Sequence, residues 1–553
     1  MFSPWLDNYP NDVAPNLPPL PYANLIEIVE KSFTHYPSCP AFVNMDVTLT
    51  YYQLEKKSQA IASYLQNALK LAQGDRVAIM MPNLLQYPII LLGILRAGMV
   101  VVNINPLYTS RELKFQLNDS GAKAIFIVSN FAKTLENIVT ETAIEHVVLS
   151  RIADELTFVK RNMANFFISH IKKMVPKYHL PDAHSYRDAL QTGENLFFHR
   201  PLINSDDIAF IQYTGGTTGV SKGAILQHKN MVASLMQATA VFGAVVKKGE
   251  DVVITALPLY HAFALTVNCL FFLHMGGKNI LITNPRDIGA FIATLKKYPF
   301  DYFIGINTLF NALLNHRKFS QIDFSRLRIT LSGGMATQAN IATRWFEKTN
   351  SVVLDGYGLT ECAPMVSVVP HNFTSFSGSI GYPLPSTLIR LRDTNNELVH
   401  AINVAGEIEI KGPQVMPAYW NNKQETDNAF IDGWFRSGDI GLFDEQGLLR
   451  LVDRKKDMIL VSGFNVYPNE IESVISTIDG VLESAAVGVD SNDGSEIVKV
   501  FVVLRDYSIT VKDIQAHCRD NLTAYKRPKM IEIVNELPKN NVGKVMRRLL
   551  KDR

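Results

Sequence analysis

Cysteine is scarce: Cys39, Cys269, Cys362 and Cys518 are the four in 553 residues, and none forms a CxxC pair or a Cys/His cluster. That excludes a disulfide framework and a zinc knuckle, and it fits a reducing compartment. An excess of one charge is also missing. Lys and Arg number 54 against 52 Asp and Glu, a formal net charge of +2. No global field points to nucleic acid, so any cationic site must be local. An unbroken apolar run long enough to span a bilayer is absent too. Residues 77–95 carry no charge, but Pro82, Asn83, Gln86 and Pro88 interrupt them. They read as strand, turn and buried helix. The first residues lack the basic and apolar regions of a signal peptide. Their prolines, at 4, 10, 15, 18, 19 and 21, predict an extended arm lying over a domain. The expectation is a cytoplasmic protein, at most peripheral on the cytoplasmic membrane face.

What is present is enough for large cores: 47% of residues are apolar and 19% charged, which excludes a disordered chain. Strand-like apolar runs alternate with helical periodicity. The run 77–81 is a strand; Asn83 is placed as the cap of a helix carrying Leu84, Leu85, Ile89, Leu92 and Leu95; 100–102 is the next strand. Ser110 is placed as the cap of a helix through Ser120, and 124–128 returns as a strand. This rhythm predicts a parallel sheet covered by helices on both faces. Loops at 214–219, 257–261, 332–336 and 355–361 each follow a strand-like run. Ligands in open α/β sheets bind beyond the carboxyl ends of strands, so these loops predict one composite site. After Gly381 the strands shorten and turns multiply. The roughly 100 residues after Arg454 read as a separate α+β unit.

The sharpest local signal is Tyr213-Thr-Gly-Gly-Thr-Thr-Gly-Val-Ser-Lys-Gly-Ala224. Glycines let backbone N–H groups approach an anion, threonine hydroxyls add donors, and Lys222 adds a charge. The order is not that of a Walker A loop, in which lysine directly follows glycine.

This string resembles the phosphate loop of the adenylate-forming enzymes: acyl- and aryl-CoA synthetases, luciferase and peptide-synthetase adenylation domains. Further motifs of that superfamily follow in order: Asp355-Gly-Tyr-Gly-Leu-Thr-Glu361, Trp434-Phe-Arg-Ser-Gly-Asp439, Asp453-Arg-Lys-Lys-Asp457 and Pro538-Lys-Asn-Asn-Val-Gly-Lys544. Residues 432–456 resemble the signature of the fatty acyl-CoA synthetases, and Pro258-Leu-Tyr-His-Ala-Phe-Ala-Leu265 resembles the bacterial long-chain fatty acid–CoA ligases. The resemblance implies an α/β fold with a large N-terminal domain of layered sheets and helices, residues 1–453. A small mobile α+β C-terminal domain, residues 454–553, would be joined to it by a hinge near Lys456.

The implied chemistry is ATP-dependent activation of a fatty acid to an acyl-adenylate with release of pyrophosphate, then transfer to coenzyme A with release of AMP. The resemblance assigns phosphate contacts to Tyr213, Thr214, Gly215, Gly216, Thr217, Thr218, Gly219 and Lys222. It gives the α-phosphate to Thr360 and Mg²⁺ to Glu361. Gly334, Gly356 and Tyr357 would border adenine and the acyl group. Asp439, backed by Arg454, would accept the ribose hydroxyls. Lys544 would bridge carboxylate and α-phosphate, and Gly463 would line the pantetheine entry. Ser437 stands where relatives usually have threonine, and Leu460 where some have lysine. Cys362 is expected to pack, and the other cations of the tail, Lys539, Arg547, Arg548 and Lys551, to be solvated.

His261 is assigned to the acyl carboxylate or to gating an acyl passage. Apolar residues at 263–265 and at 304, 306, 309, 310 and 313 hint at the acyl site. In 160–177, Met163, Phe166, Phe167, Ile171 and Met174 recur at helical spacing beside Lys160, Arg161, Lys172, Lys173 and Lys177. Such a helix either lies on anionic lipid or packs on the large domain. A homodimer is a further expectation. The competing functions are a fatty acyl-AMP ligase loading a carrier protein, a medium-chain or aryl-CoA ligase, and a non-catalytic fatty-acid binding or uptake component.

Overall fold

The computed structural model describes residues 2–214, 221–461, 464–490, 496–540 and 543–551. The βα alternation is there, but it builds two sheets rather than one. A seven-stranded sheet runs His184–Ser185, His146–Ser150, Ala124–Val128, Arg76–Met80, Val100–Asn103, Ile208–Thr214, Lys222–Gln227. All neighbours are parallel except the last pair, where Thr214 faces Lys222 across an antiparallel ladder. A nine-stranded sheet holds Val353–Gly358, Ile329–Ser332, Tyr302–Gly305, Val252–Thr255 and Lys278–Leu281 as its parallel centre.

The charge-free stretch 77–95 is strand Arg76–Met80 followed by helix Gln86–Arg96, every residue of which is buried. Pro88 is tolerated because it falls in the first turn, where backbone N–H groups have no helical partner anyway. Asn83 does not cap this helix. Its amide instead donates to the carbonyls of Thr255 (3.1 Å) and Leu257 (2.9 Å) and accepts from Leu259 N–H (2.9 Å). Ser110 is likewise the first helical residue, and Thr109 is the cap, closed reciprocally with Glu112.

Asn83 belongs to a set of buried polar groups joining the two sheets near the carboxyl ends of their strands. Tyr87 donates to Leu259 O at 2.8 Å, and Gln212 donates to Tyr260 O at 2.6 Å. The loop after Val252–Thr255 is thereby held beside the strand that leads into the glycine-rich loop.

From Leu388 the chain forms a six-stranded sheet whose long strand Trp434–Phe443 pairs antiparallel with Gly406–Lys411 and Leu449–Arg454. The N-terminal arm lies against this part and its neighbour. Trp5 stacks on Phe443 at 5.1 Å, and Leu17 N–H donates to Ser386. Beyond the turn at 455–457, residues have cores of their own. One gathers Ile459, Ile471, Ile475, Val500 and Ile514; the other gathers Val487, Phe501, Leu537 and Leu550. Strands Val481–Asp490, Glu496–Leu504 and Met530–Ile533 form their sheet, with helices Pro468–Ser476 and Val511–Asn521 against it.

Candidate active site

Strand register sets the first piece of the site. Asp439 and Arg454 are cross-strand partners, and Arg454 Nε lies 3.2 Å from Asp439 Oδ1. Tyr357, at the end of the next sheet, donates its hydroxyl to Asp439 Oδ2 at 2.8 Å. The Tyr357 ring is buried, and burial raises its pKa, so it remains a donor. It therefore orients the carboxylate, a contact its expected place beside adenine does not include.

Glu361 sits in the short turn Thr360–Cys362 that follows strand Val353–Gly358. Its carboxyl is buried, and desolvation raises its pKa. Tyr419 donates to Glu361 Oε1 at 2.7 Å, and Lys222 acts on the same carboxyl electrostatically. Lys222 Nζ lies 5.0 Å over the Tyr419 ring and pairs with Glu425. The loop bearing Tyr419 is held on strand Lys222–Gln227 by Ile225 N–H to Ala418 O (3.1 Å) and by Trp420 N–H to Gly223 O (2.7 Å).

Lys544 arrives from the C-terminal unit. Burial and the neighbouring Arg454 lower its pKa to about 8, while Asp439 opposes the shift. Lys456 is lowered for the same first reason, with Arg454, Asp439 and Lys222 among its electrostatic neighbours. Lys222, Arg454, Lys456 and Lys544 therefore converge with Asp439 and Glu361, although the sequence spreads them over more than 300 positions. Such a cationic cluster in a nearly neutral chain suits a polyanion.

Two of the glycines stand beside open space. A Cβ built on Gly334, whose φ is +78°, meets nothing within 4 Å, and one on Gly356 meets nothing closer than 3.6 Å. Gly333 is different: its Cβ would lie 2.8 Å from Phe263, which brings the 263–265 segment against the 332–336 loop. His261, in the loop after Val252–Thr255, has an exposed surface yet enough protein around it that desolvation lowers its pKa.

Gly215, Gly216, Thr217, Thr218, Gly219 and Gly463 lie outside the described residues. Thr214 is described, and its carbonyl accepts from Ser221 Oγ at 2.6 Å. Tyr213 donates its hydroxyl to Asp119. Phe310 and Leu313, read as acyl-site residues, are instead fully buried with Trp345 in a core cluster. Arg547 is not a solvated charge. It pairs with Glu472 at 2.8 Å and Asp457 at 3.4 Å, and it donates to Asn469 at 2.9 Å. Cys362 is buried, and burial pushes its thiol pKa well up, as packing requires. Sequence reading missed Tyr419, Glu425 and Arg547. None stands in a motif, and each meets its partner only through the fold.

The AMP-binding enzyme family matches residues 29–420, and the AMP-binding enzyme C-terminal domain matches residues 470–544. A long-chain-fatty-acid–CoA ligase of Salmonella typhimurium is 55% identical over 99% of this chain and 98% of its own. One of Haemophilus influenzae is 50% identical with the same coverage. Among solved structures, an anthranilate CoA ligase in complex with anthranoyl-AMP superposes with a TM-score of 0.85. It is 24% identical, covers 97% of this chain and 98% of its own, and shows the fold.

Proposed function

The chain belongs to the AMP-binding enzyme family, and on that premise we propose how its residues carry out a fatty acid–CoA ligase reaction. The reaction is ATP-dependent activation of a long-chain fatty acid to its acyl-CoA. The observation that carries the residue assignment is the convergence of Lys222, Arg454, Lys456 and Lys544 on Asp439 and Glu361.

In the first half-reaction a carboxylate must attack the α-phosphate of a polyanion. Lys544 holds the two anions together, and its ammonium, poorly solvated, meets their charge strongly. Asp439, fixed by Arg454 and Tyr357, accepts the ribose hydroxyls. Lys222 leaves Glu425 for the β and γ phosphates, and Thr360 donates to the α-phosphate. His261 borders the acyl carboxylate. Glu361 fits a hard divalent cation, because it is a buried carboxylate whose charged form a cation would favour. Mg²⁺ held by Glu361 and phosphate oxygens would neutralise charge developing on the pyrophosphate. In the second half-reaction the C-terminal domain, residues 454–553, turns about Lys456 and admits coenzyme A. The same reading includes a peripheral contact with the membrane in which a fatty acid partitions.

The test is fatty-acid-dependent exchange of pyrophosphate into ATP, followed by acyl-CoA formation, over acids of increasing chain length. Exchange that needs a long-chain acid, with thioester appearing when coenzyme A is added, is the expected result. Exchange without thioester formation would place the chain with acyl-AMP ligases and overturn the second half-reaction.

A further inference from the structure

The helix Phe158–Phe166, continuing as a wider turn through Phe167–Ile171, is mounted inside out. None of its residues is buried. Phe158 and Met163 are each 69% exposed, Ile171 59% and Phe166 58%, and Val159 and Phe167 share that outward side. The half-buried positions are Arg161, Ala164, Asn165, Ile168 and Ser169, a mostly small and polar set. The segment is held by polar bonds: Ala153 N–H donates to Asn165 Oδ1 at 3.3 Å, and Asn130 donates to Met174 O at 3.0 Å. A surface helix of a soluble protein normally turns its apolar stripe to the core. An exposed contiguous apolar face marks an interaction surface.

Charge identifies the partner. No Asp or Glu occurs from 156 to 181, while Lys160, Arg161, Lys172, Lys173 and Lys177 do. Two of these cations lie over the exposed rings: Arg161 is 5.2 Å from the Phe158 centroid and Lys172 5.7 Å from that of Phe167. Aromatic, methionine and aliphatic side chains inserted beneath flanking cations are how an interfacial helix meets anionic headgroups. A second copy of the chain fits poorly, because a two-fold axis through this face would set its cations against each other.

We propose that the face formed by Phe158–Ile171 and its flanking lysines seats the protein on an anionic lipid surface. This names the membrane-contact face of the fatty acid–CoA ligase described above and rests on that reading for its purpose. Its binding energy comes from two separable sources, apolar insertion and headgroup attraction, and both must contribute.

The experiment is sedimentation of the full chain with phosphatidylcholine vesicles, with and without phosphatidylglycerol, in the absence of ATP and coenzyme A. The parent should pellet with the anionic vesicles and progressively less as salt is raised. Replacing Lys160, Arg161, Lys172 and Lys173 by Gln should weaken partitioning about 100-fold or more. The triple change Met163→Ser, Phe166→Ser and Phe167→Ser should weaken it at least about tenfold at unchanged charge. Both variants should keep parental turnover of a short, water-soluble acid, which separates the lipid proposal from the ligase reading. Equal binding of the triple variant and the parent would overturn the proposal. So would a parent that ignores anionic vesicles, or one that sediments as a dimer which the triple variant dissolves.

Discussion

Lys544 carries a thermodynamic cost that its proposed role in adenylation would explain. Burial lowers its pKa from 10.5 to about 8. In the folded state the neutral amine is thus favoured relative to the unfolded chain. The resulting loss of stability is full below about pH 8 and fades as pH rises toward the unfolded value. Lys544→Met should therefore lose adenylation by about 10²–10³-fold while gaining on the order of 1 kcal/mol near pH 7. The gain should shrink near pH 10, as read by thermal unfolding at both pH values. Supplied acyl-AMP should still be converted to thioester, since only the first step brings two anions together. If the variant is no more stable at any pH, the ammonium is not desolvated. A second residue-scale expectation concerns Glu425, which pairs with Lys222, the lysine proposed for phosphate. Both partners are about a third exposed, so the pair is worth at most about 1 kcal/mol. Glu425→Gln should lower KM for ATP by up to about fivefold and leave kcat nearly unchanged. A KM that stays or rises would mean that Glu425 supports the phosphate site instead of competing for it. Lys544, Asp439 and Glu361 were legible because each ends an ordered motif. Tyr419 and Glu425 were not, because a hydroxyl 58 positions from Glu361 and a carboxylate 203 from Lys222 leave no periodic trace.

At the scale of elements, the turn at 455–457 is the hinge of the proposed domain movement. Its backbone bonds run from Lys455 N–H to Gly438 O and from Asp457 and Met458 N–H to Arg454 O. None of these uses the Lys456 N–H, so proline at 456 removes no bond of this turn. It does fix φ near −65° and so forbids a second backbone setting. Lys456→Pro should leave acyl-AMP formation within a few-fold of the parent and stop thioester formation. Quantifying the two products separately checks this, and an equal loss of both would point to misfolding. The elements read from sequence between 77 and 128 lie within a residue or two of those observed, since buried parallel strands are short β-branched runs. Their assignment to two sheets was not, because an apolar run does not name its neighbour. Nor was the role of Asn83, whose cap-like place before a helix competes with three bonds to the 255–259 segment. The orientation of the 158–171 helix was equally hidden. A stripe shows that a helix has two faces, and only the fold decides which one turns outward.

For the whole molecule, the question is which pose of the C-terminal unit the structure holds. Gly543 answers it. Its φ is +79°, and a Cβ there would lie 2.8 Å from Thr308 Oγ1 and 3.1 Å from Ile306 of the large domain. Asn340 also reaches across, donating to Ser476 O at 3.0 Å. These contacts accompany a placement of Lys544 beside Arg454 and Asp439, the arrangement proposed above for adenylation. Gly543→Ala meets two penalties of different kinds. The positive φ costs about 1–2 kcal/mol in any pose, because it belongs to the loop itself. The collision with Thr308 exists only where the two domains meet as they do here. Displacing Lys544 by about 1 Å should cost adenylation on the order of 10²-fold. Thioester formation from supplied acyl-AMP, which under the proposed hinge movement uses a second pose, should fall far less. Adding Thr308→Ala removes the obstructing hydroxyl while leaving the backbone strain in place, so it should restore part of the adenylation rate. Equal loss in both half-reactions, or no rescue by Thr308→Ala, would mean that the contact is not the one that sets Lys544 for the first step.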